Sequence, residues 1–355
     1  MKKVILIVVL ITLAVLYFLR GPIALIVMQR VVDQNMATQL VDDLPDGLHV
    51  VLCGAGSPMP DPKRSGPCTA VIAGNTVLVF DAGGGSSSNL GSIGIRQGEI
   101  AAIFITHFHS DHIDGLGELL MQRWVGGSHA DPMTVYGPTG VNRVVAGFRE
   151  AYGLDNNYRT DHHGEQIAPP SGGQTLAQEF VVPSEKTYST VFDDHGVVVK
   201  TFAVEHDPIT PAVGYRIEYG GRSVTISGDT AKSANLEWAA AGTDVLVHEA
   251  LSTELVGILE HSAVQAGRPN IATIMHDILN YHTSPVDAAR SASIAQAKHL
   301  LLTHIVPPLP IEALEVVFLD GVDEAYSGGV TLGKDGTMVA LPRDTTTISV
   351  TERLF

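Results

Sequence analysis

"FITHFHSDHIDG", residues 104–115, sets three histidines and two aspartates between a strand-like run and a helix-like one. The apolar "AAIFIT" reads as a strand. His107 and His109, two apart at its end, then point to one side and can reach one metal. Asp111 and His112, in the turn beyond, can bend back toward a second position about 3.5 Å away, the spacing of two-metal hydrolytic sites. Imidazole with carboxylate suits zinc, and manganese or iron accept the same ligands. A solvated loop explains one such residue well, but four of them between positions 107 and 112 call for a shared ion.

Further along, three ligand-type residues follow apolar runs. His206 ends "VVVKTFAVEH", Asp229 sits in "TISGDT", and His304 ends "HLLLTH". Open sheets with helical connections place their sites at such carboxyl ends. The runs themselves come as strands first, then as strands alternating with helix-like stretches such as 285–297, with Ser284 as an N-cap. This order predicts an α/β protein with two sheets packed face to face and helices outside. Residues 153–196, rich in glycine, proline and polar side chains, break the rhythm and are expected to form an irregular excursion over one edge.

Composition agrees with a folded chain: 45% hydrophobic, 17% charged, 355 residues. A formal charge of −16 repels a phosphate backbone, so a small-molecule substrate is expected and nucleic acid is not. The N-terminus stands apart. Lys2 and Lys3 precede an apolar run through Leu19 that resumes from Ile23 to Met28, long enough for a spanning helix with Arg20 snorkelling. Residues 1–28 are expected to be a membrane anchor, 29–47 a polar linker and 48–355 the catalytic domain, held extracytoplasmic (periplasmic if bacterial) by the positive-inside rule. Secretion after signal cleavage is the alternative. Cys53 and Cys68 are open between a disulfide and two small buried hydrophobes.

Together the H-x-H-x-D-H run, the lone His206, the G-D-T aspartate and His304 resemble the metallo-β-lactamase fold superfamily, over roughly Val50 to His304. The resemblance implies an αβ/βα four-layer sandwich and a dinuclear zinc hydrolase working through a metal-bridging hydroxide. By that similarity His107, His109 and His206 hold one metal, Asp111, His112 and His304 the other, and Asp229 bridges them. Asp111 would also take the water's proton. Asp81 in "VFDAGGG" resembles an aspartate that orients a ligand histidine. His248 in "HEA" and His282 in "HTS" resemble positions near the metals in the tRNase Z branch, where one can protonate the leaving group; a buried structural or capping histidine is the alternative for each.

"VGYRIEY", "SGDT" and "HTSPVDAARSA" are similar to that branch, and the opening "GAGSPMPDPKRSGPCTAVIAG" to its exported arylsulfatase-like members. The expected activity is therefore cleavage of small esters, aryl sulfates first. Phosphodiester or β-lactam and lactone hydrolysis on the same site is the alternative, and a non-catalytic metal-binding module the least favoured. Asp161, His162 and His163 in "YRTDHHGE" either overhang the site or form a solvated loop.

Overall fold

The computed structural model describes residues 2–37 and 39–354. Met1, Thr38 and Phe355, which fall within the expected anchor, linker and domain, lie outside the described residues.

Two compact units divide at residue 43. The first consists of the helices Lys2–Ala37 and Leu40–Asp43. Its long helix continues through Pro22 and past Met28, and together with Leu40–Asp43 it makes most of the stretch expected as a linker helical. Lys2–Asp33 is long and apolar enough to cross a membrane.

The second unit carries β1 (Gly47–Gly54), β2 (Cys68–Ala73), β3 (Thr76–Phe80), β4 (Ile100–Phe104), β5 (Met133–Pro138), β6 (Thr175–Phe180), β7 (Ser189–Asp194), β8 (Val197–Ala203), β9 (Val213–Tyr219), β10 (Arg222–Ile226), β11 (Val245–Leu251), β12 (His299–Val306), β13 (Gly329–Leu332), β14 (Thr337–Pro342) and β15 (Ser349–Glu352). They form two mixed sheets, ordered β15-β14-β1-β2-β3-β4-β5-β6 and β13-β12-β11-β10-β9-β8-β7.

Alternation along the strands explains how the sheets pack. Val245 and Val247 of β11 and Leu301 of β12 face Leu48, Val50, Leu52, Phe80 and Phe104 of the first sheet. The intervening Leu246, Leu300 and Leu302 face Leu236 and the alanines 288, 289 and 292 of the covering helices. With both faces buried, β11 and β12 read as continuous apolar runs. Each such aliphatic side chain contributes about 1.5–3 kcal/mol on burial. The result is the α/β sandwich of two facing sheets with helices outside.

Three local features bear on the site. Cys53 and Cys68 are joined by a disulfide across the β1–β2 pair. Ser284 caps the helix Pro285–Ile294, its hydroxyl accepting from the Asp287 N–H at 3.1 Å. The expected excursion, however, is largely regular: a helix runs from Val141 to His163, followed by β6 and β7. Gly153 costs a helix about 1 kcal/mol but does not end it. Here Arg159 donates to Asp155 one turn earlier at 2.6 Å, and Asn156 and Thr160 donate to the carbonyls of Gly173 and Ala168. Asp161, His162 and His163 are exposed in the last turn of that helix rather than in a loop.

Candidate metal centre

All seven ligand-type residues expected from sequence meet between the ends of the two sheets. β4 ends at Phe104, and the chain runs on through Thr106 to His107 and His109, where the short helix Ser110–Ile113 begins. The two histidines therefore lie beyond the strand, not on it, yet His107 Nε2 and His109 Nδ1 approach to 3.0 Å. Asp111 and His112 ride on the short helix. His206 follows β8 by three residues and Asp229 follows β10 by three.

His304 is placed differently, inside β12. Glu249 pairs with Thr303 and Ala250 with Ile305, so His304 is the extra residue of a β-bulge, with φ at 48°. Bulges re-aim a side chain at the cost of a ladder position. Without it, strand alternation would turn His304 away from the neighbours it meets here.

Asp229 is the centre of the cluster. Its Oδ2 lies 3.3 Å from Nε2 of both His112 and His304, 3.8 Å from His107 and 3.9 Å from His206. Asp111 Oδ2 lies 3.3 Å from His304 Nε2 and 3.6 Å from His112 Nε2. Two groups result whose atoms could hold an ion: His107, His109, His206 and Asp229, and Asp111, His112 and His304. A third, Asp229, His282 and His304, overlaps them.

Behind the ligands stand residues that orient them. Asp81, itself in the left-handed region at φ 59°, accepts from Thr106 N–H and Oγ1 and sits 2.8 Å from His112 Nδ1. Thr106 Oγ1 also lies 3.1 Å from His107 Nδ1, and His206 Nδ1 donates to Tyr281 O at 2.9 Å. Each contact leaves the opposite ring nitrogen free for the site.

His248, expected close to the metals, is in none of the three groups among the described residues. It is buried in β11 with Nδ1 on the Glu249 carbonyl at 2.7 Å. Neighbours on a strand face opposite ways, and it is Glu249 that faces the centre. Glu249 Oε1 takes His282 Nδ1 at 2.9 Å and the N–H groups of Thr230 and Thr283 at 3.2 and 3.1 Å. Glu249 was legible only as the other member of the "HE" pair.

The two groups differ in charge state. Burial, reinforced by the neighbouring His112, holds the His107 pKa well below the usual histidine value, and burial also lowers His109 and His206. Burial opposes protonation of His112 and His304 as well, but the carboxylates beside them prevail. Asp229 and Asp81 raise His112 well above its usual value, and Asp229 and Asp111 raise His304 to about 9. In the metal-free chain, protons on these two rings neutralise Asp111 and Asp229.

The residues present fit a pair of divalent ions. His112 Nε2, His206 Nε2 and Asp229 Oδ2 are buried without a hydrogen-bond partner, an arrangement that normally costs about 1–3 kcal/mol per group. They converge from three different segments, and imidazole and carboxylate together are a donor set for zinc-like ions.

Comparison with known proteins gives the family. Residues 61–298 match the family described as the Metallo-beta-lactamase superfamily. Ribonuclease Z of Mycolicibacterium paratuberculosis is 34% identical over 290 residues, covering 81% of this chain and 96% of that protein. Ribonuclease Z of Mycobacterium bovis is 35% identical over 291 residues with the same coverage. Human tRNase Z, short form, superposes with a TM-score of 0.59 at 23% identity, over 83% of this chain and 99% of that one. These relatives, named for RNA cleavage, overturn the expectation that nucleic acid is an unlikely partner. That expectation averaged charge over the whole chain, whereas bound cations would set the sign at the site itself. With the match reaching across most of the sandwich and the relatives aligned over nearly their full length, the chain belongs to the metallo-β-lactamase superfamily of metal-dependent hydrolases.

Proposed function

We propose that this protein is a two-metal phosphodiesterase acting on RNA-class substrates, with His107, His109 and His206 holding one ion, Asp111, His112 and His304 the other, and Asp229 between them. The convergence of unpaired ligand atoms on Asp229 carries the reading, and zinc suits the donor set best. The relatives' names favour a phosphodiester over the aryl sulfate expected first from sequence.

Two divalent ions in such a site supply Lewis acidity at the phosphoryl group and an activated water nucleophile. The chain's own residues do the rest. Asp111, with an oxygen toward His304 and His112, is placed to orient the nucleophile and accept its proton. His282 presents Nε2 to the centre because Glu249 holds its Nδ1, which suits it to protonate the departing oxygen. The buried carboxylate of Glu249 fixes the orientation of the His282 ring.

We further infer an extracytoplasmic location. Lys2 and Lys3 precede the long apolar helix, and the Cys53–Cys68 disulfide is of a kind that persists in oxidising compartments. Protease added to spheroplasts, whose outer barrier has been opened, should remove the domain; full protection until the anchoring membrane itself is lysed would refute this placement.

The activity is tested by presenting the zinc-loaded protein with bis(4-nitrophenyl) phosphate, a structured RNA and 4-nitrophenyl sulfate. Turnover of the diester and the RNA is expected. Sulfate cleavage with both phosphodiesters left intact would sink the proposal.

A further inference from the structure

The segment joining β1 to β2 supplies no candidate ligand, yet it abuts one half of the metal centre. At its start, the Ala55 carbonyl accepts from the Ile305 N–H at 3.0 Å, next to the bulged His304. At its end, Gly66 donates to the Gly84 carbonyl at 3.0 Å, and a Cβ on Gly66 would stand 3.1 Å from the Asp111 carbonyl oxygen. A Cβ on Gly83 would collide with that same oxygen and with the Gly66 carbonyl carbon, so glycine at both positions lets the segment lie directly against the backbone of Asp111.

Both ends of the segment are tied to one buried side chain far along the chain. Asp335, in the turn between β13 and β14, is 4% exposed. Its Oδ1 accepts from Ala55 N–H at 2.9 Å, and its Oδ2 accepts from Ser65 N–H at 2.8 Å and Asn89 Nδ2 at 2.7 Å. Asn89 also donates to the Cys53 carbonyl at 2.9 Å, and Asp335 N–H donates to the Lys63 carbonyl at 3.1 Å. A carboxylate with charge-assisted bonds to two backbone positions ten residues apart fixes the geometry of everything between them.

We propose that Asp335 is a positioning residue for the Asp111, His112 and His304 half of the centre. It touches no candidate ligand. It acts on His304 through Ala55 and Ile305, and on Asp111 through Ser65, Gly66 and Gly83. These contacts do not reach His107, His109 or His206, whose supports are Thr106 and Tyr281. His304 needs such support because its left-handed backbone is held by its surroundings and not by its own preference. The inference rests on the two-metal reading above and specifies which half depends on Asp335.

The test is metal binding by the full chain, read by zinc titration calorimetry and by cobalt(II) absorption, which separates a three-histidine environment from a mixed carboxylate one. In Asp335→Asn at least one N–H donor loses its acceptor whichever way the amide turns. We expect two metals in the wild type. In the variant, the three-histidine half should bind as before and the Asp111 half about 10- to 100-fold more weakly, the range for losing an outer support of a metal ligand. Asn89→Ser, which keeps the carboxylate and removes one donor, should shift the same half by less, and decides the matter if Asp335→Asn does not fold by circular dichroism. Two wild-type affinities in a folded variant, or an equal loss at both halves, would overturn the inference and leave the proposed function standing. A wild-type chain that takes up no second metal would overturn both.

Discussion

The two halves of the metal centre are built from the same residue types but on opposite electrostatic terms. His107, His109 and His206 lie on segments that follow strands, and burial keeps them neutral. His112 and His304 face Asp111, Asp229 and Asp81, which outweigh burial and keep them protonated in the metal-free chain. One half is thus ready to ligate, while the other must first release protons. What joins them is Asp229, within 3.9 Å of a ring nitrogen on both sides.

Removing that junction should have the largest effect. Asp229→Ala is expected to lower phosphodiester turnover about 1000-fold or more, the several kcal/mol attributed to metal-held charge stabilisation, and to reduce metal content on both sides. Initial rates and elemental analysis of the purified variant check this. Loss of metal from one half alone, with the other fully occupied, would show that Asp229 does not bridge the halves.

A smaller effect is expected where chemistry is separated from metal binding. His282→Ala should cost about 100-fold or more in kcat, as loss of a general acid does, with two metals still bound. Glu249→Gln should follow it, because the amide no longer holds His282 Nδ1 and the ring's orientation as the carboxylate does. If metal content falls in step with kcat in His282→Ala, then His282 acts as a ligand, as its grouping with Asp229 and His304 also permits.

The same division governs what could be read from the sequence. His107, His109, Asp111 and His112 were legible because four potential ligands fall together after one apolar run, and His206, Asp229 and His304 because each follows an apolar run of its own, the superfamily resemblance then sorting them between two ions. The sandwich followed from apolar runs whose alternation fits two buried faces. Glu249 was not legible: beside His248 on a fully buried strand, periodicity offers no clue to which of the pair faces inward. Nor was the helix to His163, since its Gly153–Asp161 stretch has poor intrinsic propensity and is held by contacts with Gly173 and Ala168. The hold of Asp335 on Ala55 spans 280 residues, and no local pattern announces it.

The smallest effect separates the halves by the sign of their pH dependence. His304 has a folded pKa of about 9 against an ordinary 6.5, so it binds its proton more tightly folded than unfolded. Its contribution to the stability of the metal-free chain is fully present below pH 6.5 and is lost as pH rises through 9. His107, His109 and His206 have lowered values, so the unfolded chain takes up protons before the folded one does, and stability falls as pH drops below 6.5. Urea midpoints of the chelated protein should therefore decline on both sides of a maximum near neutrality. His304→Gln should shrink the alkaline limb, with the raised His112 carrying the remainder, and His206→Gln should ease the acid limb in part, since His107 and His109 also contribute to it. If His304→Gln flattens the acid limb instead, then the proton resides on the three-histidine half and the electrostatic division between the halves is reversed.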